Sequence, residues 1–578
     1  MNKVKNSTVL ILVLLIASFF RLIGLNWDQG QFFHPDERFL NMTIQELQLP
    51  KNLLEYFDPQ QSTLNPRHIG RNFYVYGNFP ITFSKLTNEF LNNKSLTAIT
   101  ITGRVLSAAA DLMVVLLIYL TVFLLEKNLK DKRLAIDPRS KFWAALIYAL
   151  MVLPIQQSHF FTTDIFLNLF VFASFYFSLK YFFEKKELYI ISAGLFFGLA
   201  LASKITAILI LPLNISLLIL PDVWPLKKQL AKKKILKNCK KILLLILLFV
   251  STAYLVLRLT SPYMFQTASL LDFNLNREFL ADLTELKSFS NDDTWYPPAI
   301  QWMNRSNFFG LKNLIVYGVG LISSLLSIWG IAIIIKRIFS LFKKVNVQKY
   351  LLVLALIIFW LGSFLIYYSQ QFVQSIRYYL LIYPFLAIFA GIACSVLLKN
   401  KKSRLKLTIA LLLSIAIWPL MFISVYIKDH SRIQASAWIY QHIPSGSIIL
   451  SEHWDDPLPV SLATFSEPYQ NYQLPVFDPD NQQKWTEITA ALNRADYYIL
   501  SSNRAWGSII RVPEKYPQMS QFYQDLLAGR SNYKLIAQFN SFPSLEYLGI
   551  NFSINDSWAD EAFTVYDHPQ VLIFQKIQ

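Results

Sequence analysis

The chain has 578 residues, 54% of them hydrophobic and 15% aromatic, with a formal net charge of +17 and a mean hydropathy of +0.36. Apolar runs long enough to cross a bilayer recur along it, which excludes an ordinary soluble domain and a disordered chain. The surplus Lys and Arg lie in short loops between those runs, so the charge sets topology and does not mark a nucleic-acid partner.

The first apolar run, 8–25, follows Lys3 and Lys5 and resembles a signal peptide. It is long, carries Arg21 near its end and lacks a small-x-small cleavage site, so it reads as an uncleaved first span. Beyond it comes Phe32-Phe33-His34-Pro35-Asp36-Glu37-Arg38-Phe39. An acidic pair just past a span is costly unless it faces water, a partner or a substrate. Pro35-Asp36-Glu37 should open an amphipathic helix to about Leu47, and the plainest role for the acids is to complement its N-terminal dipole.

Further spans are expected at 97–125, 142–157, 164–183, 188–203, 205–221, 242–260, 310–336, 350–369, 377–398 and 405–427, about eleven crossings in all. Loops 126–141, 184–187, 226–241, 337–349 and 399–404 then share one side with the N-terminus. They hold most of the clustered basic residues, including Lys227-Lys228, Lys232-Lys233-Lys234 and Lys240-Lys241, so that side is expected to be cytoplasmic. Setting topology and touching anionic lipid account for the Lys-rich loop 226–241. Loops 26–96, 158–163, 261–309 and 370–376 face outward, with the tail from about 428. Cys239 and Cys394 suggest neither a disulfide framework nor a zinc cluster.

The tail carries no further span. Ser431 to His442 reads as a helix closed by Pro444-Ser445-Gly446. Ser447 to Leu450, Tyr497 to Leu500, Leu535 to Phe539 and Val571 to Phe574 read as short buried strands. The expected organisation is a transmembrane domain, 1–427, whose first outer loop is 26–96, and a small α/β domain, 428–578, on the outer face. Neither an internal repeat nor a low-complexity linker is visible.

Several charges sit at outward ends of spans. Asp164 opens the fourth span in Ser158-His159-Phe160-Phe161-Thr162-Thr163-Asp164, where capping by Thr163 or Asp164 is the bland alternative. Lys204 ends Gly198-Leu199-Ala200-Leu201-Ala202-Ser203-Lys204, between two apolar runs. Arg377 opens Arg377-Tyr378-Tyr379-Leu380-Leu381-Ile382-Tyr383-Pro384, and Arg104 and Arg258 lie near the outward ends of spans two and seven. Snorkelling explains any one of these cations. Four together run against the positive-inside trend and suggest an anion at the outer interface, with a lipid phosphate the obvious candidate.

In this order the motifs resemble the GT-C superfamily of membrane glycosyltransferases, in its protein O-mannosyltransferase and aminoarabinose transferase branch (glycosyltransferase family 39 type). Arg21-Leu22-Ile23-Gly24-Leu25 followed by Asp36-Glu37 matches the first span and acidic loop motif, and Arg104-Val105-Leu106-Ser107 the second span. Asp164 matches the acid of the second outer loop. Gly198 to Lys204 matches a Gly-Leu-Ala-x-x-x-Lys signature, and Arg377 to Gly391 an Arg-Tyr-x-x-x-x-x-Pro-Phe segment. The resemblance covers spans one to ten and leaves out the tail. The chain departs from the family in Ser62-Thr63-Leu64-Asn65-Pro66-Arg67 and Tyr74-Val75-Tyr76-Gly77-Asn78-Phe79-Pro80, which replace a plain His-x-Pro-Pro. It also departs at Asp111 inside span two, which faces either Arg104 or a polar cavity.

The resemblance implies a polytopic α-helical membrane enzyme of a bacterial plasma membrane, with its site outside. It would move a sugar from a polyprenyl phosphate to an acceptor hydroxyl on protein, lipid or glycan, with membrane lipids and no nucleic acid as partners. Asp36 would be the base, with Glu37 and Asp164 positioning it or the acceptor. Lys204, Arg377, Arg104 and Arg258 would bind phosphate, supported by His34, His159, Tyr76 and Tyr378. The phosphate is a good leaving group, so no general acid is required. Cations would stabilise it, one carboxylate would take the hydroxyl proton, and direct displacement would invert the anomeric centre. A divalent metal on His34 and His159 with the acids is an open alternative, although the ligand set is not compact. From another class, a transporter or flippase of lipid-linked glycans would also suit many spans with buried charges. Against it, no repeat or pair of interrupted helices in corresponding halves is apparent.

Overall fold

A computed structural model describes residues 2–129, 135–223, 232–291, 293–294, 296–341, 348–399, 404–462 and 469–577. Lys227-Lys228 lies outside these residues, and so do the side chains of Lys232-Lys233-Lys234.

Each apolar stretch of the sequence is helical, because a backbone in lipid has to satisfy its own hydrogen bonds. Seven helices among the described residues are long and apolar enough to cross a membrane. They are Leu96–Asn128, Thr163–Glu184, Cys239–Thr260, Leu321–Leu341, Tyr350–Ser369, Ile376–Leu397 and, running on into the tail, Arg404–His442. Three shorter apolar helices, Asn6–Leu22, Leu188–Leu201 and Ile205–Pro221, account for three more of the expected spans. The remaining stretch is broken into Ser140–Ala149 and Val152–Ser158.

Other interruptions are also absent from the sequence reading. A 3-10 segment, Ile205–Ile210, precedes Leu211–Val223, and a second, Ile376–Ile382, precedes Tyr383–Leu397. Pro384 explains the second. It lacks an N–H and restricts the residue before it, yet it suits the first turn of an α-helix. Lys204 is the extended residue between Leu188–Leu201 and its 3-10 segment, and Arg377 lies in the first turn of the other.

Asp111 resolves differently from both expected alternatives. It faces Arg21, whose Nε donates to it at 2.6 Å, and it also accepts from the Tyr148 hydroxyl at 2.6 Å. The Arg21–Asp111 pair is fully buried and ties the first helix to Leu96–Asn128. It holds neither Arg104 nor an open cavity.

The tail contains a five-stranded sheet of order β2-β1-β3-β5-β4, with β1 Ile448–Glu452, β2 Gln470–Leu474, β3 Tyr497–Leu500, β4 Tyr533–Phe539 and β5 Val571–Lys576. The first three strands in spatial order run parallel, while β5 pairs antiparallel with β3 and β4. Alternate residues go to opposite faces. Leu450, Tyr498, Leu500, Leu572 and Phe574 join one apolar cluster, and Ile449, Tyr497, Ile499, Val571 and Ile573 join another beneath Ser431–His442.

Contacts in both directions cross the expected division at 427/428. Ile300 and Met303, from the loop 261–309, belong to the tail's core. Conversely, Ala559 and Phe563 belong to the core of the spans. Gln156 donates to the Phe563 carbonyl (2.7 Å) and to Asp567 (2.9 Å), and the Tyr426 hydroxyl donates to Asp567 at 2.8 Å. The loop 26–96 meets the tail through Arg38–Asp456 (3.1 Å) and Gln31 to the Ser461 carbonyl (2.9 Å). At the opposite end of the helices, Arg139 pairs with Asp137 and donates to the Leu398 carbonyl at 3.0 Å.

Candidate active site

The site is assembled by the loop 26–96, two tight turns between spans and the tail. Pro35–Glu46 is the helix expected after the acidic motif, but its N-cap is His34, whose Nδ1 accepts from the Glu37 amide at 3.2 Å. The Asp36 carboxylate is therefore not needed for capping. It is paired with Arg377 and accepts from the Tyr76 hydroxyl at 3.3 Å. Burial works to raise the Asp36 pKa, but Arg377, with His34 and Lys204 adding to it, holds it well below the usual carboxylate range. Burial also presses His34 down to about 4, against the pull of Asp36, so its ring is neutral at pH 7.

Gly77 explains how Tyr76 reaches Asp36. The Gly77 amide donates to the Ser203 carbonyl (3.0 Å) and the Phe79 amide to the Ala202 carbonyl (3.1 Å). A Cβ on Gly77 would overlap the Ala202 carbonyl, so only glycine allows this approach. The unusual Tyr74-to-Pro80 segment thus docks on the turn that carries Lys204. That turn is set by a second close approach, since a Cβ on Gly198 would lie 2.5 Å from the Ala253 carbonyl of the neighbouring helix.

Lys204 pairs with Asp164 at 2.7 Å, and its ammonium lies 5.1 Å from the centre of the Tyr378 ring. Arg377 lies 5.6 Å from the same ring. Asp164 does not cap its helix: the N-cap is Thr162, and its side chain makes no capping bond. Asp164, Lys204, Arg377, Tyr368 and Tyr378 line one small cavity. Side-chain exposures of 20% for Lys204, 21% for Arg377 and 26% for Asp36 leave these three partly open, in contrast to the sealed pairs around them.

Other expected residues stand elsewhere. Arg104 is fully buried, and its guanidinium is taken by two carboxylates. It meets Glu37 at 2.7 and 3.0 Å and Asp28 at 2.8 and 3.1 Å. Glu37 also accepts from the Phe161 amide at 2.7 Å, so three of its roughly four acceptor sites are spent on holding the loop. Arg258 turns onto the Thr267 and Ser269 carbonyls and the Phe265 ring, away from the cavity. Arg104 and Glu37 are thus engaged with each other and with Asp28 and the Phe161 amide, while Arg258 is held by backbone carbonyls through its terminal nitrogens, with Nε left unpaired.

The two histidines of the metal alternative are engaged elsewhere. His159 stacks on Tyr426 at 3.7 Å, and its two ring nitrogens face the Ile155 and Ile23 carbonyls at 2.8 Å each. His34 uses Nδ1 as a cap. Among the described residues no group of three or more His, Cys, Asp or Glu is placed to hold a metal ion. Two contributors went unseen in the sequence. Asp28 had a faint signal, lying eight positions before Asp36 in the same loop. Tyr566, whose ring packs on His34 at 4.4 Å, comes from the tail and had none.

Residues 95–256 match the family of dolichyl-phosphate-mannose-protein mannosyltransferases. No curated protein matches the chain. Among solved structures, the chain is similar to the Archaeoglobus fulgidus oligosaccharyltransferase tethered to an acceptor peptide. The identity is 12%, the TM-score 0.51, and the match covers 98% of this chain and 88% of that one. The same enzyme in complex with Zn and sulfate gives the same identity, TM-score and coverage. ArnT from Cupriavidus metallidurans bound to undecaprenyl phosphate gives 12% identity, a TM-score of 0.40, and coverage of 99% of this chain and 97% of that one. At such low identity the oligosaccharyltransferase likeness speaks for the fold alone. It shows a polytopic α-helical membrane fold similar to that of the oligosaccharyltransferase, with a C-terminal domain built around a small sheet, and the family match over residues 95–256 agrees with the resemblance of the motifs to GT-C enzymes.

Proposed function

We propose that the chain is a membrane glycosyltransferase that moves a sugar from a polyprenyl-phosphate donor to an acceptor hydroxyl, inverting the anomeric centre. The observation that carries this reading is the convergence of Lys204 and Arg377 on one partly open cavity, each facing a carboxylate. The family match, to enzymes that take mannose from dolichyl phosphate, supports it. So does the fold shared with an enzyme that glycosylates an acceptor peptide.

Lys204 and Arg377 bind the donor phosphate and stabilise the charge it gains as the sugar leaves. Asp36 takes the proton of the attacking hydroxyl. Without donor, Arg377 suppresses the basicity of Asp36. A phosphate that draws Arg377 toward itself relieves that suppression, so the base becomes competent once the donor is in place. Asp164 positions Lys204 and Tyr76 positions Asp36, while Tyr378 lends both cations an aromatic face. Arg104, through Glu37 and Asp28, holds the loop that presents the base.

Purified protein given a labelled polyprenyl-phosphate sugar and an acceptor should release free polyprenyl phosphate. Movement of the intact lipid between leaflets, without release, would favour a transporter. Lys204→Ala and Arg377→Ala should each weaken donor binding by about ten- to a hundredfold, as expected for a charge-assisted contact of ~1.5–3 kcal/mol. Arg530→Ala, at an exposed surface pair, should leave it unchanged. Equal affinity in all three variants would move the phosphate elsewhere.

The site lies on the extracytoplasmic side of a bacterial plasma membrane, with the tail beside it. A reporter joined after Lys141 should read cytoplasmic and one after Gly446 external; the reverse would place the acidic loop on the wrong face.

A further inference from the structure

A second cavity lies outside the spans, where Gln301–Arg305 of the outer loop, Asn503–Arg511 and residues 555–561 of the tail meet. Its volume of about 450 Å³ falls within the ~300–1,000 Å³ typical of small-ligand sites. Two half-buried arginines line it, and their described hydrogen bonds all run to backbone carbonyls. Arg305 donates to Gln301 (3.1 Å), and Arg511 donates to Gly507 and to Gln301 (2.9 Å). Among the described residues neither has a carboxylate partner. The nearby Glu561 is taken by Arg504 at 2.5 Å.

Two like charges in a half-buried pocket repel each other, Glu561 in the same lining offsets them only in part because Arg504 already engages it, and an anion between them would relieve the rest. Burial presses both guanidinium groups down, Arg511 to about 10; Arg305 adds to the effect on Arg511, while Glu561 opposes it at both arginines and Asp560 at Arg305. Arg511 Nε, Trp506 Nε1 and Ser557 Oγ are also buried without a hydrogen-bond partner, which leaves the lining with polar groups that are not satisfied internally. At the rim Trp558 is 79% exposed. Together with Trp506 it gives indole surfaces that suit the apolar faces of sugar rings.

Contacts run from the pocket to the residues around Arg377 and His34. Asp560, next to Glu561, accepts from the Ser375 hydroxyl (3.0 Å) and the Ile376 amide (2.7 Å), at the turn that carries Arg377. Arg504 lies 5.9 Å from the ring of Tyr566, which packs on His34.

We propose that this pocket binds an anionic saccharide, its carboxylate or phosphate held between Arg305 and Arg511 and its ring against Trp558, as the recognised part of the acceptor. Its role for the acceptor rests on the transferase function above. Binding is measured without donor or turnover, so the two can fail separately.

Full-length protein in detergent, titrated calorimetrically, should bind digalacturonate or glucose 6-phosphate at least tenfold more tightly than maltose. The tighter of the two anionic probes identifies the charge. Arg511→Gln and Arg305→Gln should each lose about tenfold or more. Trp558→Ala, at an exposed position that the fold does not need, should lose several-fold. Equal binding of maltose, no binding of either anionic probe, or affinity indifferent to all three variants would overturn the proposal. Tighter binding of a Glu-rich peptide than of both saccharides would overturn it in favour of a peptide acceptor.

Discussion

Replacing Asp36 with Asn should lower sugar transfer by about 10²–10⁴-fold while fold and donor binding survive, the range expected when a positioned acid–base group is lost. Asn is close in size and can still accept from Tyr76, but it cannot take a proton. The change does not uncap the helix, because His34, and not Asp36, satisfies the Glu37 amide. It also releases Arg377 from its carboxylate, so donor affinity should stay level or rise. Single-turnover transfer and donor titration on the same preparation separate these effects. Transfer within a few-fold of wild type would remove Asp36 as the base and leave Asp164 the leading candidate.

The parts of this molecule that were legible in its sequence are those fixed by local chemistry. The bilayer demands long apolar helices, so every span left a mark. Ser431–His442 matched its expected bounds because its closing turn is written in Pro444-Ser445-Gly446. Strand β2, Gln470–Leu474, went unread because it is an edge strand whose first four residues are exposed, and its composition is polar.

Charges were found but not always their partners. Asp36, Lys204, Asp164 and Arg377 stand at helix or turn starts, where an unneutralised charge invites a functional reading. Arg104 invited the same reading, yet 76 residues of chain separate it from Asp28, and only folding brings the two together. Arg21 and Asp111 meet across 90 residues in the same way. The arginine pocket joins three segments that are remote in sequence, and no motif connects them.

His568 is where the other large effect is expected. Its fully buried ring lies between Asp556 at 2.9 Å and Asp567 at 2.5 Å. Burial alone would lower its pKa, but the two carboxylates win and raise it to about 10, so the ring is an imidazolium at neutral pH. Asp567 also accepts from Gln156 and Tyr426, which makes the cluster a fastening between tail and spans. His568→Leu keeps much of the volume but leaves two buried carboxylates with no cation between them. The cost should be about 3–5 kcal/mol, the usual range when one partner of a buried ion pair is removed. The pH dependence has a definite sign. The folded pKa lies above the unfolded value of 6.5, so this stabilisation is complete below pH ~6.5, declines as pH rises and is gone above about 10. Thermal unfolding of the detergent-solubilised protein should therefore weaken between pH 7 and 10, and the Leu variant should lack that component. A variant within ~0.5 kcal/mol of wild type at pH 7 would mean that the imidazole is neutral and the fastening lies elsewhere.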